Sequence, residues 1–221
     1  MKKIKYFLSC LAFIFMMSIT TLASDAKNTT FSEFITSCYG EENLQVYNKN
    51  GENITSQFLS DTLPLYETKN FDAIQKYSEE HVGRFSCLDI KENITKAGKS
   101  ITINGWDAPY FSWTESIAHA TGYVKVDMTG KYSYDITSGE ILSTSNPTIN
   151  FVEFVEFSSL WTMSASKISS RSYINGSGMY ANFEAQVTIH GKSSVESTYP
   201  VDKDLGTVKA TIRGDANGIV Y

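Results

Sequence analysis

Residues 179–189 read MYANFEAQVTI. Apolar side chains occupy every second position of this stretch, with mostly polar ones between them. Successive side chains of a β-strand point to opposite faces, so the alternation predicts a strand with one buried and one polar face. We expect Phe183 and Val187 in the core. Glu184 and Gln186 are expected on the polar side.

The period of two continues through most of the chain after Ser100. It recurs in residues 124–128, 132–136 and 208–212. Residues 151–157 are apolar on both faces apart from two glutamates, which predicts a central strand or one covered by the N-terminal half. The second half is therefore expected to consist of strands.

Turn-forming dipeptides separate these runs. They are Thr129-Gly130, Ser138-Gly139, Asn146-Pro147, Asn175-Gly176 and Asn217-Gly218. Strands joined by short turns without intervening helices pair antiparallel. The sequence thus predicts a mainly β protein, with an antiparallel β-sandwich or flattened barrel over residues 98–221.

Residues 24–97 predict a smaller, mixed α/β region. Thr30 and Glu33 have the spacing of a capping box, which opens a short helix. Residues 44–47 and 54–58 flank Asn50-Gly51, a dipeptide that favours a tight turn, and predict a hairpin of two strands.

A second helix is predicted after Asn70, whose side chain suits the N-cap position. Phe71, Ile74 and Tyr77 share one face of this helix. Gly83 is the expected end, because glycine commonly terminates helices.

The N-terminus has the layout of a secretory signal peptide over residues 1–23. Lys2, Lys3 and Lys5 precede an uncharged apolar run over residues 6–19, and small and polar residues follow. The run is shorter than the roughly 20 residues that span a bilayer. We expect cleavage, with no transmembrane segment afterwards and a protein that is secreted or associated with the cell surface. An uncleaved anchor and a lipoprotein attached through Cys10 are the alternatives.

Charge and composition exclude some classes of protein. Without the three lysines of the signal segment, 16 basic residues face 24 acidic ones, a net charge of about −8. An acidic chain without a basic cluster is a poor nucleic-acid binder. The aromatic content of 13% argues for a packed core rather than disorder. A composition rich in Lys, Asn, Ser and Tyr indicates a bacterial exported protein.

Two cysteines, Cys38 and Cys87, follow the signal segment. In an exported protein, two cysteines predict one disulfide. Two free buried thiols are the alternative. No histidine lies at zinc-ligand spacing from either cysteine, so no metal site is predicted.

Catalytic motifs are absent from the sequence. The histidines are His81, His119 and His190, and none belongs to a zinc-protease motif. Glu153 and Glu156 fall on opposite faces of a strand and cannot act together there. Asp202 and Asp204 resemble the start of a calcium loop that lacks further ligands. We identify no catalytic residue and expect no cofactor.

The best candidate for a binding surface is the aromatic segment over residues 104–113. It contains Trp106, Tyr110, Phe111 and Trp113 beside turn-forming residues. Exposed rings on a β-sandwich stack on sugars or anchor a protein partner. The alternative is that these rings fill the core.

Together these features predict a non-enzymatic exported protein that binds an as yet unknown protein or glycan. The competing hypothesis is a secreted hydrolase whose carboxylates converge only in three dimensions.

The predicted disulfide has a direct test. Protein recovered from the culture medium without reductant should contain no titratable thiol, because Cys38 and Cys87 would be joined. The bridge closes a loop of roughly 50 residues and should stabilise the fold by up to about 4 kcal/mol in the chain-entropy model. Two titratable thiols in the exported protein would favour the free-thiol alternative.

Overall fold

The computed structural model describes residues 27–95, 98–115, 118–157, 161–193 and 201–215. The predicted signal segment and the Asn217-Gly218 turn lie outside the described residues. The elements are β1 Lys27–Thr30, α1 Phe31–Tyr39, β2 Leu44–Asn48, α2 Thr55–Glu67, α3 Phe71–His81, β3 Val82–Thr95, β4 Gly98–Glu115, β5 Ala118–Tyr134, β6 Ile141–Glu156, β7 Trp161–Ile174, β8 Tyr180–Ser193 and β9 Asp202–Asp215.

The described strands form two sheets. The larger sheet has six strands in the order β1-β6-β5-β4-β3-β2, and the smaller has three in the order β7-β8-β9. All pairs are antiparallel except β1 and β6. One face of the larger sheet packs on the smaller sheet, and the helices pack on the opposite face. The predicted mainly β fold is confirmed as a sandwich of two open sheets with a helical layer.

Alternation along β5 explains how one sheet serves two cores. Val124, Val126 and Met128 are fully buried against the three-stranded sheet. Tyr123 points the other way and is fully buried under the helices. The central strand is therefore apolar on both faces where both are covered.

The strand predicted at residues 179–189 is β8. Phe183 and Val187 are fully buried, as expected, and Gln186 is exposed. A side chain at Gly130 would place its Cβ 2.6 Å from the Phe183 ring, so this glycine makes room for the phenylalanine. Met179 precedes the strand and is exposed, which corrects its expected place in the core.

Glu184 lies on the outer face of the small sheet, as predicted, yet only 2% of its surface is exposed. Its carboxylate accepts hydrogen bonds from Arg171 Nε at 2.6 Å, Lys209 Nζ at 3.0 Å and the Tyr173 hydroxyl at 3.0 Å. Burial alone would raise the pKa of Glu184, but the hydrogen bonds from these neighbours lower it. The carboxylate therefore stays ionised.

Two predicted turns lie within continuous strands. Thr129-Gly130 is part of β5, where the glycine serves the packing of Phe183 rather than a reversal. Asn146-Pro147 is part of β6 at a register shift against β5, where a missing backbone N–H is tolerated. Turns do form at Ser138-Gly139 and Asn175-Gly176, as predicted.

The N-terminal predictions are confirmed in part. Both hydrogen bonds of the Thr30 capping box are present, and the strand at 44–47 is β2. Residues 54–58 are not a strand, because Asn53 accepts a hydrogen bond from the backbone N–H of Thr55 and the helix α2 begins there. Asn53 forms an isolated β-bridge with Tyr47 of β2.

The third helix begins after Asn70, whose side chain accepts from the backbone N–H of Ala73, as predicted. Gly83 does not end this helix, which stops at His81 and passes directly into β3. A Cβ at Gly83 would lie 2.7 Å from the Asn48 carbonyl oxygen. The glycine is therefore needed for the close approach of β2 and β3.

The predicted boundary between the mixed region and the β-sandwich, after residue 97, falls between β3 and β4. These two strands pair with each other from Arg84–Pro109 to Thr95–Gly98. Cys38 on α1 and Cys87 on β3 face the same core beneath the helices and are both free thiols in the structure. This arrangement is the alternative that the sequence left open, and the thiol titration remains its test.

No helix among the described residues has the length and apolarity to cross a membrane.

The packing of β8 yields a stability prediction. Phe183→Ala should lower the free energy of unfolding by about 3 to 5 kcal/mol, because it removes a buried ring and leaves a cavity over Gly130. Gln186→Ala on the outer face of the same strand should cost less than about 0.5 kcal/mol. Denaturant melts measure both changes. Equal costs for the two variants would contradict the assigned faces of β8.

Candidate functional site

A cleft of about 440 Å³ opens between α1, β1 and the sheet strands β5 and β6. Ligand-binding cavities typically measure about 300–1,000 Å³, so the cleft is large enough for a small molecule or part of a longer one. Its lining residues are Lys27, Thr29, Glu33, Phe34, Ser37, Lys125, Phe151, Val152 and Glu153.

Strand register assembles the charged part of this cleft. Glu153 lies opposite Lys27 of β1 on one side and opposite Lys125 of β5 on the other. The Lys27 Nζ is 3.7 Å and the Lys125 Nζ 3.6 Å from the glutamate carboxylate, and the Thr29 hydroxyl donates a hydrogen bond to it. The carboxylate is thus compensated on three sides while only 8% of the residue is exposed.

Lys125 is held in place by aromatic rings as well as by Glu153. Its Nζ lies 4.7 Å from the centre of the Trp106 ring and 5.7 Å from that of Phe151. Phe151 itself is 41% exposed and lies next to the cation and the carboxylate. The cleft therefore combines an open apolar ring with fixed hydrogen-bonding groups.

The second carboxylate of the cleft belongs to the helix cap. Glu33 accepts hydrogen bonds from the backbone N–H and the side chain of Thr30. These bonds lower the pKa of Glu33. General acid catalysis by a carboxyl group needs a raised pKa, so Glu33 is not placed as a general acid. Glu153 is already bound by two lysines and a hydroxyl.

The aromatic residues predicted as a binding surface are split between two faces of β4. Trp106 and Tyr110 face the helices, where Trp106 packs on Phe34 at 5.9 Å between ring centres. Phe111 and Trp113 face the three-stranded sheet. Because neighbouring strand positions alternate, the four rings do not form one patch. Only Trp106 approaches the cleft, through Lys125.

Sequence reasoning identified Phe151 and Glu153 as strand residues and did not assign them to a site. Lys125 lies within the predicted strand at residues 124–128 and is not assigned a role by the sequence pattern. Phe151 and Glu153 are two residues apart on β6, so the ring and the carboxylate lie on the same face of the strand. This spacing is the sequence signal that could have indicated the cleft. Their convergence with Lys125 depends on the β5–β6 register, which a bulge between Asp127 and Met128 adjusts.

Asp202 and Asp204, considered as a calcium loop, instead bind His190. Asp202 Oδ1 lies 2.8 Å from Nε2 and Asp204 Oδ1 lies 3.1 Å from Nδ1. Carboxylates at both ring nitrogens favour the doubly protonated imidazole, and the hydrogen bonds to Asp204 and Asp202 raise the pKa of His190. The carboxylates lie at opposite ring nitrogens, so they do not converge on one ion.

Neither cysteine has the environment of a nucleophile. Burial raises the pKa of the Cys38 thiol far above its usual value. Burial, together with the carboxylate of Glu41, raises the pKa of Cys87 to about 12. Reactive cysteines need a lowered pKa. Within the described ranges no cluster of three or more His, Cys, Asp or Glu residues is placed to hold a metal ion.

Asp107 is the most strongly perturbed carboxylate and lies between the two sheets. It is fully buried, and its Oδ2 accepts the backbone N–H of Thr211 on β9 at 2.7 Å. Its Oδ1 is 3.5 Å from Nε of Arg84 and has no hydrogen-bond partner among the described residues. Burial raises the pKa of Asp107 to about 7, against the opposing effect of Arg84.

No protein-family model, curated protein or solved structure matches this chain. Function therefore has to be inferred from the geometry of the chain itself.

The buried Asp107 predicts an unusual dependence of stability on pH. Its folded-state pKa lies above the unfolded value, so the folded protein binds the extra proton between about pH 4 and pH 7. The contribution of this group to the free energy of unfolding is largest below this window. It should decrease across the window by up to about 1.4 kcal/mol per pH unit.

Asp107→Asn keeps an acceptor for Thr211 and removes the titration, so its stability should lack this decrease relative to wild type. Denaturant melts at pH 4 to 8 measure the difference. Asp89→Asn, an exposed aspartate change on the neighbouring strand, is the control and should keep the wild-type slope. A parallel pH profile for wild type and Asp107→Asn would contradict the prediction.

Proposed function

We propose that this chain is an exported, non-enzymatic bacterial protein that binds a glycan through the cleft beside α1. The observation that carries the proposal is the exposed ring of Phe151 next to the fixed polar groups of Lys125, Glu153 and Thr29. Sugars present an apolar ring face and a rim of hydroxyl groups. A site for them needs an aromatic surface with donors and acceptors close by.

The polar groups of the cleft offer both roles in hydrogen bonding. Lysine donates and carboxylate accepts. Ser37 adds a hydroxyl that donates to the Phe34 carbonyl at 2.7 Å, which leaves its oxygen to accept from a ligand. Lys125 and Glu153 have little conformational freedom, because each is about nine-tenths buried along its side chain and paired with the other. Groups that are already ordered lose less entropy when a ligand binds.

Binding is favoured over hydrolysis by the state of the carboxylates. Glu33 caps α1 and has a lowered pKa, and Glu153 is compensated by two lysines. A glycosidase needs a carboxyl group that is free to act on the substrate, whereas both carboxylates of the cleft are engaged by other groups of the protein. The hydrolase alternative would require that carboxyl group to come from elsewhere in the chain.

Export supports a partner outside the cell. The basic start and short apolar run of residues 1–23 are typical of a cleaved signal peptide, and the chain that follows is acidic. A secreted or surface-associated protein meets cell-wall and host glycans. An unknown protein partner remains the other class of ligand predicted from the sequence.

The proposal is tested by screening the mature protein against a panel of bacterial and host glycans, followed by calorimetry of any hit. Phe151→Ala should weaken binding at least tenfold, because it removes the stacking surface. Leu142→Ala is the matched control, since Leu142 is an equally apolar, exposed residue on the same strand outside the cleft. Binding that survives Phe151→Ala, or a panel without any hit, would contradict the proposal.

A further inference from the structure

Beyond the cleft, part of the helix-side face of the larger sheet is not covered by any of the described helices or strands. We refer to it as the polar platform and define it by Asp89, Lys91, Asn104, Thr129, Lys131 and Asn150. These side chains are exposed or half-buried and come from four neighbouring strands, β3 to β6. None of them is apolar, although the opposite face of the same strands is a continuous core.

Strand register arranges the platform in rows. Asp89, Asn104 and Thr129 lie side by side on β3, β4 and β5. Lys91 and Lys131 belong to the next row, on either side of Thr102. Cross-strand neighbours of this kind are about 5 Å apart, so each row presents closely spaced polar groups across the sheet.

Hydrogen bonds order the side chains near the cleft. The Thr129 hydroxyl donates to Asn104 Oδ1 at 3.0 Å. The Asn150 amide donates to Asp127 Oδ1 at 2.5 Å and to the Thr129 hydroxyl at 3.2 Å. These bonds fix the side chains, so the lone pairs and N–H groups that they leave unused point in defined directions.

The platform is balanced in charge when Asp127, at its border with the cleft, is counted with it. Asp89 lies 4.0 Å from Lys91 Nζ, and Asp127 and Lys131 carry opposite charges along β5. An anionic or cationic polymer would find no net attraction on such a surface. A neutral ligand rich in hydroxyl groups matches its alternating donors and acceptors.

The platform continues directly from the cleft. Lys125, Asp127, Thr129 and Lys131 occupy successive positions on the same face of β5, and Phe151 lies opposite Asp127. Positions two apart along a strand are roughly 6.7 Å apart. The aromatic ring of the cleft and the polar rows thus lie on one continuous face of the sheet.

We infer that the ligand is a linear, neutral polysaccharide, with one sugar at Phe151 in the cleft and the following sugars extended over the polar platform. This inference rests on the proposed function and adds the ligand's charge, its length and a second subsite. It makes Asn104, Thr129 and Asn150 binding residues for the extended chain.

The experiment measures affinity as a function of chain length by calorimetry. The probes are β-1,4-linked oligosaccharides of glucose and of N-acetylglucosamine with two to six units, and the anionic polymer polygalacturonate. Affinity for at least one neutral series should rise at least tenfold from two to six units, with little change between low and high salt. Polygalacturonate should bind more weakly than the neutral six-unit probe.

Two variants test whether residues of the polar platform cause the rise of affinity with chain length. Thr129→Val and Asn150→Ala should each weaken binding of the six-unit probe at least threefold and leave binding of the two-unit probe unchanged. The unchanged two-unit affinity also shows that each variant is folded. Thr188→Val is the matched control, because it removes a hydroxyl from a cross-strand threonine pair on the outer face of the small sheet.

The outcomes separate the two proposals. Equal affinity for all lengths, no binding of either neutral series, preferential binding of polygalacturonate, or full six-unit affinity in both platform variants would overturn the extended neutral ligand. The glycan site in the cleft would survive these results if a panel glycan still bound in a Phe151-dependent way. Length-dependent binding that is indifferent to Phe151→Ala would instead overturn the cleft as the site.

Discussion

The larger sheet is longer than the helices that cover it, and this mismatch leaves part of its helix-side face open to solvent. The 17 residues of β5 span roughly 57 Å, whereas α1, with nine residues, is about 14 Å long. Helices are about 10 Å wide, so even three of them side by side cover only about 30 Å of the strand. The opposite face is covered along its length by the second sheet and is apolar from Ala120 to Tyr134. The uncovered part of the helix face has to be polar, because it remains in water. The cleft lies at the border, where aromatic packing under α1 gives way to polar rows.

That border also explains the environment of Lys125. Two residues earlier on the same face, Tyr123 packs against Phe34 and Phe85 in an aromatic core. Two residues later, half-buried Asp127 belongs to the hydrogen-bond network of the polar platform. Lys125 spans the transition with its stem against rings and its ammonium group beside Glu153. A lysine in this position supplies apolar contact and charge at once, and the strand needs both at this point.

Much of the fold could be predicted from local sequence, and the site could not. The alternation at residues 179–189 and the capping box at Thr30 depend on neighbouring residues only, so each was identified correctly. Gly83 was predicted to end a helix and Gly130 to form a turn. Each instead makes room for a close neighbour, the backbone of β2 and the Phe183 ring respectively. In sequence, such a glycine looks the same as one that turns the chain. Residues 54–58 were too short to distinguish a strand from the first turns of α2. The cleft was missed because Lys27, Lys125 and Glu153 meet only through the register of three strands, and no local pattern encodes that register.

The rings of β4 also show that local sequence patterns cannot identify a binding site. Trp106, Tyr110, Phe111 and Trp113 are close in sequence, which made them the natural candidate for a patch, yet strand geometry sends them into two different cores. A strand buried on both faces needs large apolar residues at adjacent positions, so a dense aromatic segment within it is a consequence of packing. Phe151 is 41% exposed, whereas Phe154 of the same strand is fully buried between the two sheets. The candidacy of Phe151 rests on Lys125 and Asp127 of β5, which lie beside it. In a sheet that serves two cores, an exposed ring beside charged residues on the uncovered face is therefore a stronger candidate for a binding site than a cluster of buried rings.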